Sequence, residues 1–332
     1  NTGQYGGLPG ADCNAVEAWD HTWGDPAIVV ALIDDGFDLA HPDFSAPGKI
    51  FKPYDATQRD IDPSPEGFIE NHGTACAGVA VASRGGGPTV GVAPDCRLMP
   101  IRHAGQLGDF EEALAFYHAY INSADVISCS WGARDRYLNE FWPMPSLTQL
   151  VVDICVTYGR NQRGIPIFFA AGNGYEPLNL DGYGNHQQVI AVAACTNENE
   201  KAWYSDYGKN VWITAPSSGG TRSITTTDRT GSAGYSMSDY TTSFPGTSAA
   251  APMVAGVAAL MLSVNSNLTV ADIREILKNT AVKIQQGNPQ DRQDYWGNTY
   301  NDAYDANGHS IVYGWGRVDA GAAVLAALSW SP

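Results

Sequence analysis

Three polar residues in this sequence have the types and order needed for nucleophilic catalysis. Asp34 follows an apolar β-branched run, His72 opens a small-residue segment, and Ser248 opens a long apolar one. A serine hydroxyl is a weak nucleophile until a base removes its proton, and that base needs a carboxylate to orient it. Singly, each has an ordinary role, because Asp-Gly is a common turn and Ser is a common helix cap. Only their combination, in the order Asp, His, Ser, indicates catalysis.

Ser248 lies where a small-residue turn runs into the apolar segment 245–262. Apolar residues on several sides of that segment predict a buried helix rather than a surface helix. The first amides of a helix lack intrahelical partners and carry the positive end of its dipole. A serine there could attack a carbonyl while nearby amides face the developing oxyanion. The alternative is that Thr247 or Ser248 is only an N-cap.

The rest of the chain alternates between predicted strands and helices, which favours a three-layer α/β/α fold with a mostly parallel sheet. We expect a single domain over residues 1–332, because no linker, repeat or low-complexity boundary interrupts it. The predicted strands are 28–33, 97–101, 124–130, 165–171 and 189–194. The predicted helices are 15–19, 71–82, 110–121, 147–160, 245–262, 270–280 and 314–328, with short strands over 209–244 and polar loops over 285–310.

Composition excludes several classes of function. The net charge of −16 argues against nucleic acid, which is bound by basic patches. No uninterrupted apolar run approaches the ~20 residues that span a bilayer, so we expect no membrane partner. The 6 cysteines are few for 332 residues and lie mostly in apolar stretches, which predicts reduced, buried thiols. Among them, Cys76 follows His72 by one helical turn and is either a thiol beside the imidazole or a structural residue.

The sequences around these three residues resemble the signatures of the subtilase family of serine proteases. They read Ile-Asp-Asp-Gly-Phe-Asp at Asp34, His-Gly-Thr-Ala-Cys-Ala-Gly at His72 and Gly-Thr-Ser-Ala-Ala-Ala-Pro at Ser248. The resemblance implies a subtilisin-like fold in which Asp34 orients His72, the general base and then acid, and Ser248 forms an acyl-enzyme. The segment Phe-Ala-Ala-Gly-Asn-Gly resembles the one whose Asn, here Asn173, stabilises the oxyanion together with the Ser248 amide.

Within that family the chain is most similar to the kexin/furin branch, bacterial calcium-dependent proteases included. Four stretches carry this narrower resemblance: 34–35, 128–132, 181–183 and 203–206. It implies a preference for Arg or Lys before the cleaved bond, since paired buried carboxylates penalise a neutral side chain. The substrate-binding residues that it implies are Asp35 at the second subsite, Asp135 and Asp181 in the S1 pocket, Glu112 further out, and Ser130, Trp131 and Gly132.

The same resemblance implies bound Ca²⁺. The Asp-rich loop 54–63 is similar to a family calcium loop, with Asp55, Asp60 and Asp62 as ligands. A second site beneath S1 would use Asp135, Asp206 and Glu176. Hard Ca²⁺ takes about six to eight oxygen ligands, and carboxylates that converge in one loop need a cation to neutralise them. The alternative for loop 54–63 is a solvated acidic loop.

The resemblance therefore implies a secreted or periplasmic, monomeric serine endopeptidase whose partners are protein or peptide substrates and an inhibitory propeptide. The chain departs from the convertases because its cysteines do not reproduce their disulfides, and we expect no β-sandwich P-domain within residues 1–332. A macrocyclase would need a water-excluding lid, for which the sequence offers no insertion. A non-catalytic calcium-binding module is the other alternative, and the intact triad argues against it.

Overall fold

The computed structural model describes residues 2–104, 108–136 and 139–331. Within them, a 7-stranded sheet has the order β2-β3-β1-β4-β5-β6-β7, and every neighbouring pair in it is parallel. Its strands are β1 Val29–Asp34, β2 Tyr54–Asp55, β3 Arg97–Arg102, β4 Val126–Cys129, β5 Ile167–Ala170, β6 Ile190–Cys195 and β7 Val211–Pro216. Two small antiparallel pairs lie outside it: β8 Ile224–Thr227 with β9 Tyr240–Phe244, and β10 Asp291–Gln293 with β11 Thr299–Asn301.

Helices cover both faces of this sheet, so the predicted three-layer α/β/α fold is confirmed. The helices are α1 Ala15–Trp19, α2 His72–Val81, α3 Asp109–Ile121, α4 Ser146–Gln162, α5 Thr247–Val264, α6 Val270–Thr280 and α7 Ala320–Ser329. Alternate residues of the central strands face opposite layers, as the period-2 geometry of a strand requires. Val30 and Leu32 pack with α2, α5 and α7, whereas Ala31 and Ile33 pack with α3 and α4.

Helix α5 is the central helix of the larger core. Its first 16 residues, 247–262, are all buried, and many of them are Ala or Gly, whose small side chains allow neighbouring elements to approach closely. By length and composition alone this helix could cross a membrane, but 89% of it is buried inside the protein. Its apolar character is therefore that of a core helix.

The structure differs from the predicted elements mainly near the C-terminus. The polar stretch 285–310 contains the hairpin β10–β11, and α7 begins at Ala320 rather than at 314. Gly314 and Gly316 have φ of 58° and 134°, a region that favours glycine and interrupts a helix. Asp319 then caps α7 by accepting a hydrogen bond from the Ala322 amide.

All six cysteines are buried and unpaired, as predicted.

Candidate active site

The carboxyl edge of the sheet brings Asp34, His72 and Ser248 to one place. Asp34 is the last residue of β1, next to the first turns of α2 and α5, which begin at His72 and Thr247. The Asp34 Oδ1 and His72 Nδ1 atoms lie 2.7 Å apart. Gly73 allows this approach, because a Cβ there would lie 2.4 Å from the Gly36 carbonyl oxygen. Ligands of parallel α/β sheets gather at this edge.

The surroundings of His72 favour its protonated form. Burial is the largest single influence and lowers the pKa of the imidazole, but Asp34 and Cys76 together outweigh it and raise that pKa well above its usual value. Asp34 also accepts a hydrogen bond from the Asp35 amide at 2.8 Å, so its carboxylate is held in place. A fixed carboxylate that stabilises an imidazolium is what a general base needs in order to accept a proton.

Ser248 lies in the first turn of α5 and is 8% exposed. Its carbonyl oxygen accepts hydrogen bonds from Ser130 Oγ at 3.0 Å and from Cys76 Sγ at 3.5 Å, which fixes the backbone at the nucleophile. Its hydroxyl is turned to the Ser130 carbonyl oxygen at 3.4 Å, a long contact. Catalytic hydrogen bonds often tighten only when substrate binds.

Asn173 follows β5 in a loop that lies against the start of α5. Its Oδ1 accepts hydrogen bonds from the Thr247 amide at 2.9 Å and the Thr247 hydroxyl at 3.1 Å. Asn173 lines the cavity that it shares with His72 and Ser248, and because its carbonyl end is occupied by Thr247, its NH₂ end is available as a donor. Together with the Ser248 amide, this donor can stabilise a developing oxyanion.

Asp181 is a buried carboxylate fixed by backbone amides. It accepts hydrogen bonds from the Tyr183 amide at 2.6 Å, the Gly184 amide at 3.3 Å and the Ala133 amide at 3.1 Å. Burial raises its pKa to about 6 despite these donors. Gly132 permits the close approach, since a Cβ there would lie 2.4 Å from Asp181 Oδ2. Asp135 lines the same 110 Å³ cavity.

The remaining predicted substrate residues make internal contacts. Asp35 accepts hydrogen bonds from the His72 and Gly73 amides at the start of α2, and burial and Asp34 raise its pKa to about 7. Trp131 donates its indole N–H to the Ile33 carbonyl at 2.7 Å. Glu112, predicted as an outer subsite residue, is buried and accepts the Tyr183 hydroxyl at 3.1 Å.

Asp135, Glu176 and Asp206 form a group of three carboxylates whose ligand oxygens lie within 4.8 Å of one another. Glu176 and Asp206 are buried, and burial and the neighbouring carboxylates raise the pKa of Asp206 well above its usual value. Gly172 leaves room beside them, because a Cβ there would lie 2.2 Å from Asp206 Oδ2. A hard divalent cation would remove the repulsion, so this donor set fits Ca²⁺.

The second predicted ligand set is arranged differently. Asp55 pairs with the Arg102 guanidinium at 2.6 Å, with both side chains buried. Asp60 and Asp62 are exposed and accept hydrogen bonds from amides two residues further along the loop, at 2.9 and 3.1 Å. In the described part of the chain these three carboxylates do not form a metal-ligand group. Arg102 supplies Asp55 with the positive charge that the sequence interpretation assigned to Ca²⁺.

Sequence reasoning missed the aromatic residues beside the nucleophile. His72, Asn173 and Ser248 open onto a 660 Å³ cavity, which is also lined by Trp203, Tyr204, Tyr235 and Phe244. In the sequence, Trp203 and Tyr204 stand out only as part of the stretch 203–206 that resembles the kexin/furin branch. Tyr235 and Phe244 lie on the β8–β9 hairpin. Aromatic residues are common in strands, so their presence there does not indicate a binding site.

The chain belongs to the subtilase family, whose model, described as "Subtilase family", matches residues 25–316. It is 43% identical to the "Calcium-dependent protease" of Trichormus variabilis, over 97% of this chain and 49% of the relative. It is 31% identical to human "Neuroendocrine convertase 2", over 99% of this chain and 51% of the relative. The chain thus spans about half the length of these relatives.

Solved structures agree with the fold. The Aeromonas sobria serine protease in complex with its chaperone superposes with a TM-score of 0.85 at 22% identity, over 98% of this chain and 64% of that chain. A protease of Pseudoalteromonas arctica superposes with a TM-score of 0.73 at 27% identity, over 95% of this chain and 94% of the other. The fold is therefore subtilisin-like, as the sequence resemblance implied.

Proposed function

We propose that this chain is the catalytic domain of a serine endopeptidase that works through an acyl-enzyme on Ser248. The observation that supports this most directly is the cavity shared by Ser248, His72 and Asn173, with Asp34 bonded to His72. His72 takes the proton of Ser248 Oγ as that oxygen attacks the substrate carbonyl, and Asn173 with the Ser248 amide stabilises the oxyanion. His72 then gives the proton to the leaving amine, and water hydrolyses the ester.

The proposed substrates carry Arg or Lys before the cleaved bond. Asp181 supports this, because it is a buried carboxylate whose position is fixed by hydrogen bonds from backbone amides. A guanidinium would give it charge-assisted hydrogen bonds, which are roughly twice as strong as neutral ones. Asp135, in the same cavity, would add a second negative charge. We also propose Asp35 and Glu112 as candidates for subsites further from the bond.

Ca²⁺ is the proposed cofactor, held by Asp135, Glu176 and Asp206. Its role would be structural, since Asp135 also accepts a hydrogen bond from the Asn173 backbone N–H at 3.1 Å and so connects the carboxylate group to the oxyanion loop. The name of the relative from Trichormus variabilis agrees with calcium dependence. Loop 54–63 is a weaker candidate, because Arg102 already neutralises Asp55.

The family resemblance also suggests the partners of the enzyme and the compartment in which it acts. An inhibitory propeptide and protein or peptide substrates are the proposed partners, a secreted or periplasmic location is proposed, and residues 1–332 are proposed to act as one monomeric catalytic domain.

A fluorophosphonate tests the nucleophile. It should label Ser248, identified by peptide mass mapping, and Ser248→Ala should lose both the label and nearly all peptidase activity. Ser263→Ala is the matched control, because Ser263 lies on the same helix with its hydroxyl bound to the Ala259 carbonyl at 2.7 Å. Full turnover by Ser248→Ala would exclude the mechanism.

A further inference from the structure

The cavity beside the nucleophile lies on the side of His72 where the leaving group departs. His72 must reach the nitrogen of the leaving amine, so the residue after the cleaved bond passes over the imidazole. The Phe244 ring stands edge-on to that imidazole with centroids 5.5 Å apart. Asp181, which belongs to the acyl side, lines a different cavity. The 660 Å³ space is therefore where the first residue of the new N-terminus would lie.

Aromatic rings form the walls of this space. Tyr235 packs near Phe244 with centroids 6.2 Å apart, and Trp203 stands edge-on to Tyr204 at 5.5 Å. Tyr204 is a fixed wall, because its hydroxyl bonds Ser217 at 3.0 Å and accepts the Gly246 amide at 3.2 Å. Trp203 and Tyr235 are 63% and 51% exposed, so they present apolar surface that a bound group could cover.

The chain carries a net charge of −16, but the charged groups that line this space are the cationic side chains of His72 and Arg136. No carboxylate is among the described residues that line it. Arg136 lines it, but its Nε is bonded to the Gly174 carbonyl at 2.8 Å and its guanidinium lies over the Tyr295 ring. Ser218, Thr241 and Ser243 add hydroxyl groups to the lining. A bulky aromatic side chain can cover the exposed faces of Trp203 and Tyr235, whereas a small side chain would leave them in contact with water.

We propose that this enzyme selects a bulky aromatic residue at P1′, the position just after the cleaved bond, through Trp203, Tyr235 and Phe244. The proposal rests on the proposed endopeptidase function and adds a preference on the second side of the bond. A cavity of 660 Å³ lies within the ~300–1,000 Å³ range typical of ligand sites, and it can hold one aromatic side chain with its backbone.

Partitioning of the acyl-enzyme tests this preference separately from P1 recognition. The acyl group is loaded from a peptide ester, and phenylalaninamide or serinamide competes with water for it. The amine forms a C–N bond as the bond to Ser248 Oγ breaks, and His72 transfers the amine proton to Ser248 Oγ. We expect the aminolysis-to-hydrolysis ratio to be about tenfold higher for phenylalaninamide, which is of the size seen for apolar pockets.

Variants then assign the preference to the rings. Trp203→Ala and Tyr235→Ala should each lower the phenylalaninamide-to-serinamide preference by roughly three- to tenfold, comparable to the loss of one aromatic contact. Met237→Ala is the matched control, because Met237 lies in the same hairpin, is 84% exposed and does not line the cavity. Equal partitioning of the two amines, or a preference that both variants retain in full, overturns the proposal.

Failure of the proposed endopeptidase function gives a different result. In that case the ester is not turned over and fluorophosphonate does not label Ser248. The P1′ preference is then measured by equilibrium binding to Ser248→Ala of two peptides that differ only in Phe or Ser at P1′. About tenfold tighter binding of the Phe peptide supports the pocket, and equal binding refutes it.

Discussion

Replacing Asp181 with Asn should remove the preference for a basic P1 residue and leave the catalytic machinery in place. Asn keeps the shape of the side chain and an acceptor oxygen for the Tyr183 and Gly184 amides, which bond the same oxygen of Asp181. It loses the negative charge and one acceptor, because its NH₂ group takes the place of the Oδ2 atom that accepts a hydrogen bond from the Ala133 backbone N–H at 3.1 Å. The loss of the Ala133 bond affects P1 Arg and P1 Leu peptides alike, so the ratio of the two activities reports the charge of the pocket.

The magnitude follows from burial. Asp181 is 7% exposed, so a P1 guanidinium that reaches it is desolvated, and an unpaired buried charge costs about 3 kcal/mol or more. Since 1.4 kcal/mol is about a factor of ten, kcat/KM for P1 Arg should fall by about 10² relative to P1 Leu.

The assay compares two fluorogenic peptides that differ only in Arg or Leu at P1. Asp20→Asn, at an exposed position after α1, is the control for removing one negative charge elsewhere. Equal losses for both peptides in Asp181→Asn would falsify the assignment, because they would mean that Asp181 serves only the fold.

The pH dependence gives an independent measurement. Burial raises the pKa of Asp181 to about 6, so the carboxylate is charged above that pH and neutral below it. The Arg-to-Leu ratio of kcat/KM should therefore fall as the pH decreases through about 6. Titration of His72 affects both substrates equally and cancels in the ratio. In Asp181→Asn the ratio should be low at every pH.

Two further predictions concern Cys76 and calcium. Cys76 Sγ lies 3.7 Å from His72 Nδ1, so a small mercurial should inhibit the enzyme and Cys76→Ala should abolish that inhibition. Burial raises the pKa of the Cys76 thiol to about 12, which argues against a role as the nucleophile of a cysteine protease. Insensitivity of the reduced enzyme would favour a purely structural cysteine. Removal of Ca²⁺ with EGTA should lower Tm and kcat together, because a ligand that binds only the folded state stabilises it and Asp135 also holds the Asn173 amide. Glu176→Gln should reproduce both losses and Asp62→Asn neither, whereas an unchanged melting curve after verified metal removal would contradict the site.

Much of this architecture could be predicted from local sequence. The apolar run before Asp34 and the small-residue segment after His72 have the length and composition of a buried strand and helix, so the fold class followed from their alternation. Element ends were less predictable: Asp34 belongs to β1 itself, and α7 begins only after the glycines at 314 and 316.

Contacts between distant residues could not be predicted in this way. Arg102, which neutralises Asp55, lies at the end of β3, and only the register of β2 beside β3 brings the two together. Glu112 accepts a hydrogen bond from the Tyr183 hydroxyl, a partner 71 residues away that no local sequence pattern indicates. Trp203, Tyr235 and Phe244 meet in one cavity only because the β8–β9 hairpin folds beside the nucleophile.

Asp135 explains why Asp181 is the better position for testing specificity. Asp135 accepts a hydrogen bond from the Asn173 backbone N–H at the oxyanion loop. It also belongs to the carboxylate group with Glu176 and Asp206 and lines the cavity of Asp181. Its replacement would therefore disturb the oxyanion hole, the proposed cation site and the binding of the P1 side chain together. Activity towards P1 Arg and P1 Leu peptides should both fall. Among the described residues, the Asp181 carboxylate accepts hydrogen bonds from backbone amides of its own pocket and none from the oxyanion loop, so its charge can be removed while that loop keeps its bonds. We expect the Asp181 variant to lose activity towards the P1 Arg peptide alone and the Asp135 variant to lose activity towards both peptides. That result would show that Asp181 binds the P1 side chain and that Asp135 stabilises the site around it.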